Sequence, residues 1–204
     1  MTPEKSSKRE GGALSWLAIY REPVVLRMFF LGFSSGLPLL LVLGTLSFWM
    51  REVGVDLKSI GFMSWVGLCW GMKWLWSPLV DKLSIPLLSS RLGQRRAWLL
   101  TAQIGLIVSL VLMAFADPAK SLTLTAALAL TTAFFGATQD IALDAFRIES
   151  GSEEKQAAFA ATYQTGYRLA MIWAGAGALA IAAFFETQFG TAVGWRSAYL
   201  VMSA

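Results

Sequence analysis

Histidine is absent from the 204 residues, and cysteine occurs once, at Cys69. The first absence removes the commonest metal ligand and proton shuttle. The second leaves neither a disulfide framework nor a thiolate metal centre. Charge is scarce as well, with Asp, Glu, Lys and Arg making up only 15% of the chain. An intramembrane enzyme would need a nucleophile–base pair or a metal constellation, and little here can build one. No catalytic and no metal-binding residues are therefore predicted.

What is present in excess is apolar side chain, 56% of all residues, at a mean hydropathy of +0.57. That is too much for one soluble core. The apolar residues also fall in blocks of about twenty, the length a helix needs to cross roughly 30 Å of hydrocarbon. The blocks predict helices near 28–50, 59–80, 97–116, 122–146 and 157–185, with a sixth opening at 195–204 and incomplete. The fold class is therefore an all-α membrane protein, with residues 28–204 forming the transmembrane bundle. Residues 1–12 are polar and charged and read as a disordered tail. Residues 13–22, with Leu14, Trp16, Leu17, Ile19 and Tyr20, read as an interfacial amphipathic helix ended by Pro23.

A net charge of +4 would ordinarily raise the question of nucleic acid, but its distribution answers to a membrane. Lys5, Lys8, Arg9, Arg21 and Arg27 precede or open the first span. Lys82, Arg91, Arg95 and Arg96 lie in the second connection, and Arg147 and Lys155 in the fourth. The alternate connections carry only Arg51, Lys58, Lys120 and Arg196. The positive-inside rule then puts the amino terminus in the cytoplasm, with the lipid bilayer as partner and no nucleic acid.

Ionisable residues inside the spans are the informative ones, because a charge at the bilayer centre costs at least about 2.5–3.5 kcal/mol. Four stand out: Lys73, Asp140, Asp144 and Arg168. Lys73 precedes Asp81 by eight residues and Asp140 precedes Arg147 by seven, which places them roughly 12 and 10 Å deep. Opposite charges at equal depth lower each other's cost, and either Lys73 or Arg168 is a candidate partner for Asp140. Asp140 and Asp144 share a helix face as proton-coupling candidates, with Arg147 able to pair Asp144 locally. Lys73 and Arg168 suit an anionic substrate, Gln139 adjoins Asp140 as a further substrate-binding candidate, and Trp70 offers either a flat face to a sugar or peptide or simple core packing. A buried ion-pair network that only fixes helix register is the plainer alternative. In the first span Gly32, Gly36, Pro38 and Gly44 thin and kink the helix, so Gly36 and Pro38 are gating candidates as a hinge. Gly32-xxx-Gly36 and Gly67-xxx-Gly71 are equally spacings for close helix packing.

The second connection runs Asp81-Lys82, then an excursion, then Gly93-Gln94-Arg95-Arg96. It resembles the loop motif of the major facilitator superfamily, with Ser77 where that motif has Gly and Leu83 to Leu92 intervening. The resemblance assigns Asp81, Lys82, Gly93, Arg95 and Arg96 to gating. A longer series resembles the AmpG family of muropeptide permeases. It comprises Leu-Gly-Phe-Ser-Ser-Gly-Leu-Pro-Leu at 31–39, Gly-Thr-Leu at 44–46 and Ile-Gly-Phe at 60–62. It continues with Lys-Trp-Leu-Trp-Ser-Pro-Leu-Val-Asp at 73–81 and Arg-Arg-Ala-Trp-Leu-Leu at 95–100. Ala-Thr-Gln-Asp-Ile-Ala-Leu-Asp-Ala at 137–145 and Gly-Tyr-Arg-Leu at 166–169 complete it.

The resemblance implies a six-helix half-bundle of the major facilitator type, its last helix truncated, partnered by the carboxy-terminal half of the same transporter. It implies a bacterial inner-membrane importer of anhydro-muropeptides from cell-wall turnover. The proton gradient would drive it, without a cofactor. Another cargo on the same fold, such as a peptide, siderophore or acyl conjugate, is the alternative, as is a non-transporting truncated scaffold.

Overall fold

The computed structural model describes residues 19–151 and 153–204, and among them every regular element is helical. The predicted tail at 1–12 and most of the predicted interfacial helix at 13–22 lie outside the described residues. Among the described residues a single 3₁₀ turn, Ile19–Arg21, precedes the first long helix.

That helix, α1, runs Pro23–Glu52. Proline at its first position suits a helix start, since the missing N–H has no intrahelical partner there anyway. Pro38 inside α1 removes a backbone donor, and a π-helical segment, Leu41–Thr45, follows it. The 59–80 block is not one rod. It comes as α2 (Leu57–Met63), a 3₁₀ turn Ser64–Gly67, α3 (Leu68–Met72), a second 3₁₀ turn Lys73–Leu75, and α4 (Ser77–Lys82). Asp56 caps α2, accepting the Ser59 amide at 2.9 Å and its hydroxyl at 2.6 Å. These bonds hold the Asp56 carboxyl below the usual carboxylate range. A short α5 (Leu88–Leu92) leads through Gly93 into α6 (Gln94–Phe115). Then come α7 (Leu122–Glu149), α8 (Lys155–Phe189) and α9 (Thr191–Ser203). Helix α8 carries its own π segment, Trp173–Gly177. The last helix thus opens at Thr191, ahead of the Trp195 start read from hydropathy.

α1, α6, α7 and α8 are long and apolar enough to cross a membrane. They bundle with large hydrophobic side chains such as Phe30, Phe48, Ile104, Leu112, Ile172 and Phe184 exposed. Small and polar residues, including Ser35, Thr132, Thr138, Gln139 and Asp140, are buried instead. A surface this greasy, with hydroxyls, an amide and a carboxyl among the buried side chains, fits lipid, and the chain is a multi-pass membrane protein.

Helix α1 packs chiefly on α8, and the seam is glycine. A Cβ on Gly32 would lie 2.2 Å from the Tyr163 carbonyl oxygen, one on Gly36 2.4 Å from that of Tyr167, and one on Gly166 2.2 Å from that of Phe29. Only hydrogen fits at such distances, so two backbones touch here. The Gly67-xxx-Gly71 spacing makes no such seam, since Gly71 has nothing within 4 Å and Gly67 meets only the Leu43 side chain. Farther along, the two π segments face each other, and the Thr45 hydroxyl donates to the Ala174 carbonyl at 2.7 Å. A carbonyl released from regular helix pairing is thereby satisfied across the seam.

Candidate functional site

Helix α7 is buried without a break from Gly136 to Leu143. Its consecutive Gln139 and Asp140 meet the consecutive Ser34 and Ser35 of α1. Neighbouring residues diverge by about 100° around each helix, so each of the two contacts takes a different direction. Gln139 donates from Nε2 to Ser34 Oγ at 3.0 Å. The Ser35 hydroxyl donates to Asp140 Oδ1, and the Tyr163 hydroxyl of α8 donates to Ser35 Oγ at 3.2 Å. Asp140 is 7% exposed and Ser35 1%. The carboxylate is therefore held by a neutral hydroxyl, and three helices meet at one serine.

One turn along α7, Asp144 takes the cations. Lys73 Nζ stands 3.6 Å from its Oδ2, and Arg147 is 3.6 Å from its Oδ1. Lys73 opens the second 3₁₀ turn of the broken span. That span is docked on α7 by Trp76, whose indole donates to Thr138 Oγ1 at 3.2 Å. Of the two cations considered for Asp140, Lys73 is thus contact-paired to Asp144. Arg168 lies exposed on α8, outside the Asp140 hydrogen-bond chain. Arg147 also stands 5.7 Å from the Tyr163 ring centre, within cation–π range.

Trp70 is half-buried against Gly136, where an added Cβ would be 3.1 Å from its ring and 3.3 Å from that of Pro38. Gly136 lets these two flat side chains approach α7. Indole Nε1 of Trp70 and Oε1 of Gln139 are buried with no hydrogen-bond partner among the described residues. Ser34 and Pro38 also line a 350 Å³ cavity between α1, α6 and α9, facing Gln103.

The residues assigned to gating divide in two. At the end of the bundle where α4, α6 and α7 meet, Arg95 holds Asp81 at 2.5 Å and Glu149 at 3.0 Å. Gln94 adds hydrogen bonds to the carbonyls of Val80 and Asp81, at 3.1 and 2.6 Å. Gly93, at φ +83°, supplies the backbone turn that places both side chains. Lys82 and Arg96 are exposed beside this knot rather than in it. Gly36 lies in the α1–α8 seam, and Pro38, like Trp70, packs at Gly136 of α7.

Ser34, Ser35, Tyr163, Gln94 and Glu149 were not singled out from the sequence. A hydroxyl costs little inside a helix because it can bond a carbonyl of the preceding turn, so burial cost does not flag it. Glu149 lies beyond the predicted end of its span at 146. Ser34-Ser35 does fall in the 31–39 segment, which was its one available signal.

The family described as Acetyl-coenzyme A transporter 1 matches residues 24–121. The chain is 41% identical over 189 residues to the anhydromuropeptide permease of Escherichia coli strain K12, covering 93% of this chain and 36% of that protein. It is 38% identical over 164 residues to the putative transporter AmpG 4 of Rickettsia felis, 80% of this chain and 39% of that one. With the putative transporter AmpG 3 of Rickettsia prowazekii it shares 33% over 182 residues, 89% of this chain and 41% of the relative. The chain spans little more than a third of the length of these relatives. Along most of its length this multi-pass helical chain is thus similar to the amino-acid sequences of transporters named for AmpG and of an anhydromuropeptide permease.

Proposed function

We propose that this chain is part of a proton-coupled secondary transporter that imports anhydro-muropeptides across the bacterial inner membrane. The observation that carries the cargo is the 41% identity, along 93% of the chain, to a protein named anhydromuropeptide permease. The basic end of the bundle, with Arg95 and Arg96, faces the cytoplasm in this reading, as does the amino terminus. The rest of the transporter completes the substrate path.

Asp140 is the coupling carboxylate. It is buried, so its charge is costly, yet its contact partner is a hydroxyl that a neutral acid also satisfies. Asp144 differs in its partners, since two cations, Lys73 and Arg147, stand beside it. Lys73, at the edge of this cluster, can exchange Asp144 for a substrate carboxylate. Arg168 and Trp70 offer a further charge and a flat face. The Asp81–Arg95–Glu149 knot ties three helix ends together and closes the cytoplasmic side while it is intact. No cofactor is called for beyond the proton gradient.

The test is uptake of labelled anhydro-muropeptide by cells making the complete protein, with and without an uncoupler. Accumulation that the uncoupler abolishes is the expected result. An acyl conjugate is the second reading, favoured by the match of residues 24–121 to a family described as an acetyl-coenzyme A transporter. Competition by acetyl-coenzyme A, with none by muropeptide, would favour it.

A further inference from the structure

The chain Tyr163–Ser35–Asp140 has a direction, and that direction depends on one proton. An ionised carboxylate only accepts hydrogen bonds. Ser35 must then give its single hydrogen to Asp140, which leaves its lone pairs to accept from Tyr163. In that state the Ser35 hydrogen points to Asp140 on α7, and the Tyr163 hydrogen is committed to Ser35 on α1. Once Asp140 carries a proton on Oδ1, the oxygen that faces Ser35, it becomes a donor there. Ser35 accepts from it, rotates its own hydrogen toward Tyr163, and releases the Tyr163 hydrogen to point elsewhere.

We propose that Ser35 and Tyr163 form a reversible hydrogen-bond relay that reports the protonation of Asp140 on α7 to the Tyr163 hydroxyl on α8. There it becomes a free donor for an oxygen-rich, anionic substrate. One O–H bond forms, on Asp140, and its proton comes from the aqueous side of the gradient. Each hydroxyl keeps one hydrogen and only rotates, so neither a tyrosinate nor a serine alkoxide arises. Proton and substrate then favour each other's binding, which is the thermodynamic content of symport.

The neighbourhood suits a relay of neutral groups. From α1 the cluster receives only the hydroxyls of Ser34 and Ser35. From α7 it has Asp144, already paired to Arg147 and to Lys73 of the broken span. From α8 come Tyr163 and Tyr167, whose rings stand 6.2 Å apart. Tyr163 stays aligned because the backbones beside it are in contact: the Tyr163 carbonyl abuts Gly32, and Gly36 abuts that of Tyr167. Rotating a hydroxyl needs no movement of this seam, so the relay works within a rigid frame.

The inference rests on Asp140 being the coupling carboxylate, and two measurements on the complete, purified protein separate the two claims. The first is infrared spectroscopy without substrate. The carbonyl stretch of protonated Asp140, identified by its loss in Asp140→Asn, shifts in Ser35→Ala and Tyr163→Phe and returns toward its original position in Ser35→Thr. The second is anhydro-muropeptide affinity across pH. In the unaltered protein affinity tightens on the order of tenfold as pH falls through the Asp140 titration. In Ser35→Ala and Tyr163→Phe it stays flat at the weaker level. An unmoved infrared band, or full pH dependence in both variants, overturns the relay while leaving Asp140 in its role. An absence of pH dependence in the unaltered protein overturns the coupling reading and the relay with it.

Discussion

Two acidic clusters lie along α7, and they are held in opposite ways. Near its end Glu149 shares the Arg95 guanidinium with Asp81, charge against charge, in a half-exposed setting. Two and a half turns earlier Asp140 is buried against the hydroxyl of Ser35. The difference is chemical. Neutralising Asp81 and Glu149 together strands a cation, whereas neutralising Asp140 strands nothing, because a hydroxyl can accept as well as donate. In the proposed mechanism the first arrangement serves as a clamp and the second as a site that changes charge. Asp144, one turn from Asp140 and held by Lys73 and Arg147, lies between the two in position and in kind.

Breaking the frame around the buried cluster should cost most. Gly36→Val places carbon within 2.4 Å of the Tyr167 carbonyl and forces α1 from α8. A drop in thermal stability of at least about 3 kcal/mol, or failure to insert, is expected on the scale of severe overpacking. A melting temperature like that of the unaltered protein would mean that the seam is looser than its glycines indicate. Next comes the clamp. Arg95→Ala leaves Asp81 and Glu149 facing each other unpaired, and should cost on the order of 1–2 kcal/mol because both pairs are partly exposed. The expected readout is faster solvent exchange of the amides that open α6, with buried α7 amides unchanged.

A smaller effect is expected for Lys73→Met. Asp144 keeps Arg147, so stability changes by under about 1 kcal/mol. Affinity for anionic cargo should nevertheless fall severalfold, and an unchanged affinity would remove Lys73 from the substrate path. Lys82→Gln belongs at the bottom of the order. It is exposed beside the knot, and its stability change should stay within about 0.5 kcal/mol in a melting experiment.

Much of this contrast was legible in residue order. A charge in hydrocarbon is expensive, which drew Asp140, Asp144 and Lys73 out of an otherwise greasy sequence, and the structure brings these three together along α7. Arg168 was drawn out by the same rule but lies exposed on α8, because helical position around the axis, not depth, decides what a side chain meets. The breaks in the second span were invisible to hydropathy, which counts apolar residues without asking whether their backbone turns at 3.6 or 3.0 residues. Ser35 and Tyr163 were invisible for another reason. Their importance comes from meeting across three helices, and no spacing within one helix encodes that. The seam was half legible: Gly32 and Gly36 share a spacing with Gly67 and Gly71, yet only the first pair has a backbone pressed against it.

The central claim is that the buried carboxylate of Asp140 couples cargo to protons, and one substitution tests it most directly. The complete protein carrying Asp140→Asn should insert normally, since the amide still accepts the Ser35 hydroxyl, and should accumulate no labelled anhydro-muropeptide above the uncoupled level. Uncoupler-sensitive accumulation equal to that of the unaltered protein would contradict the account.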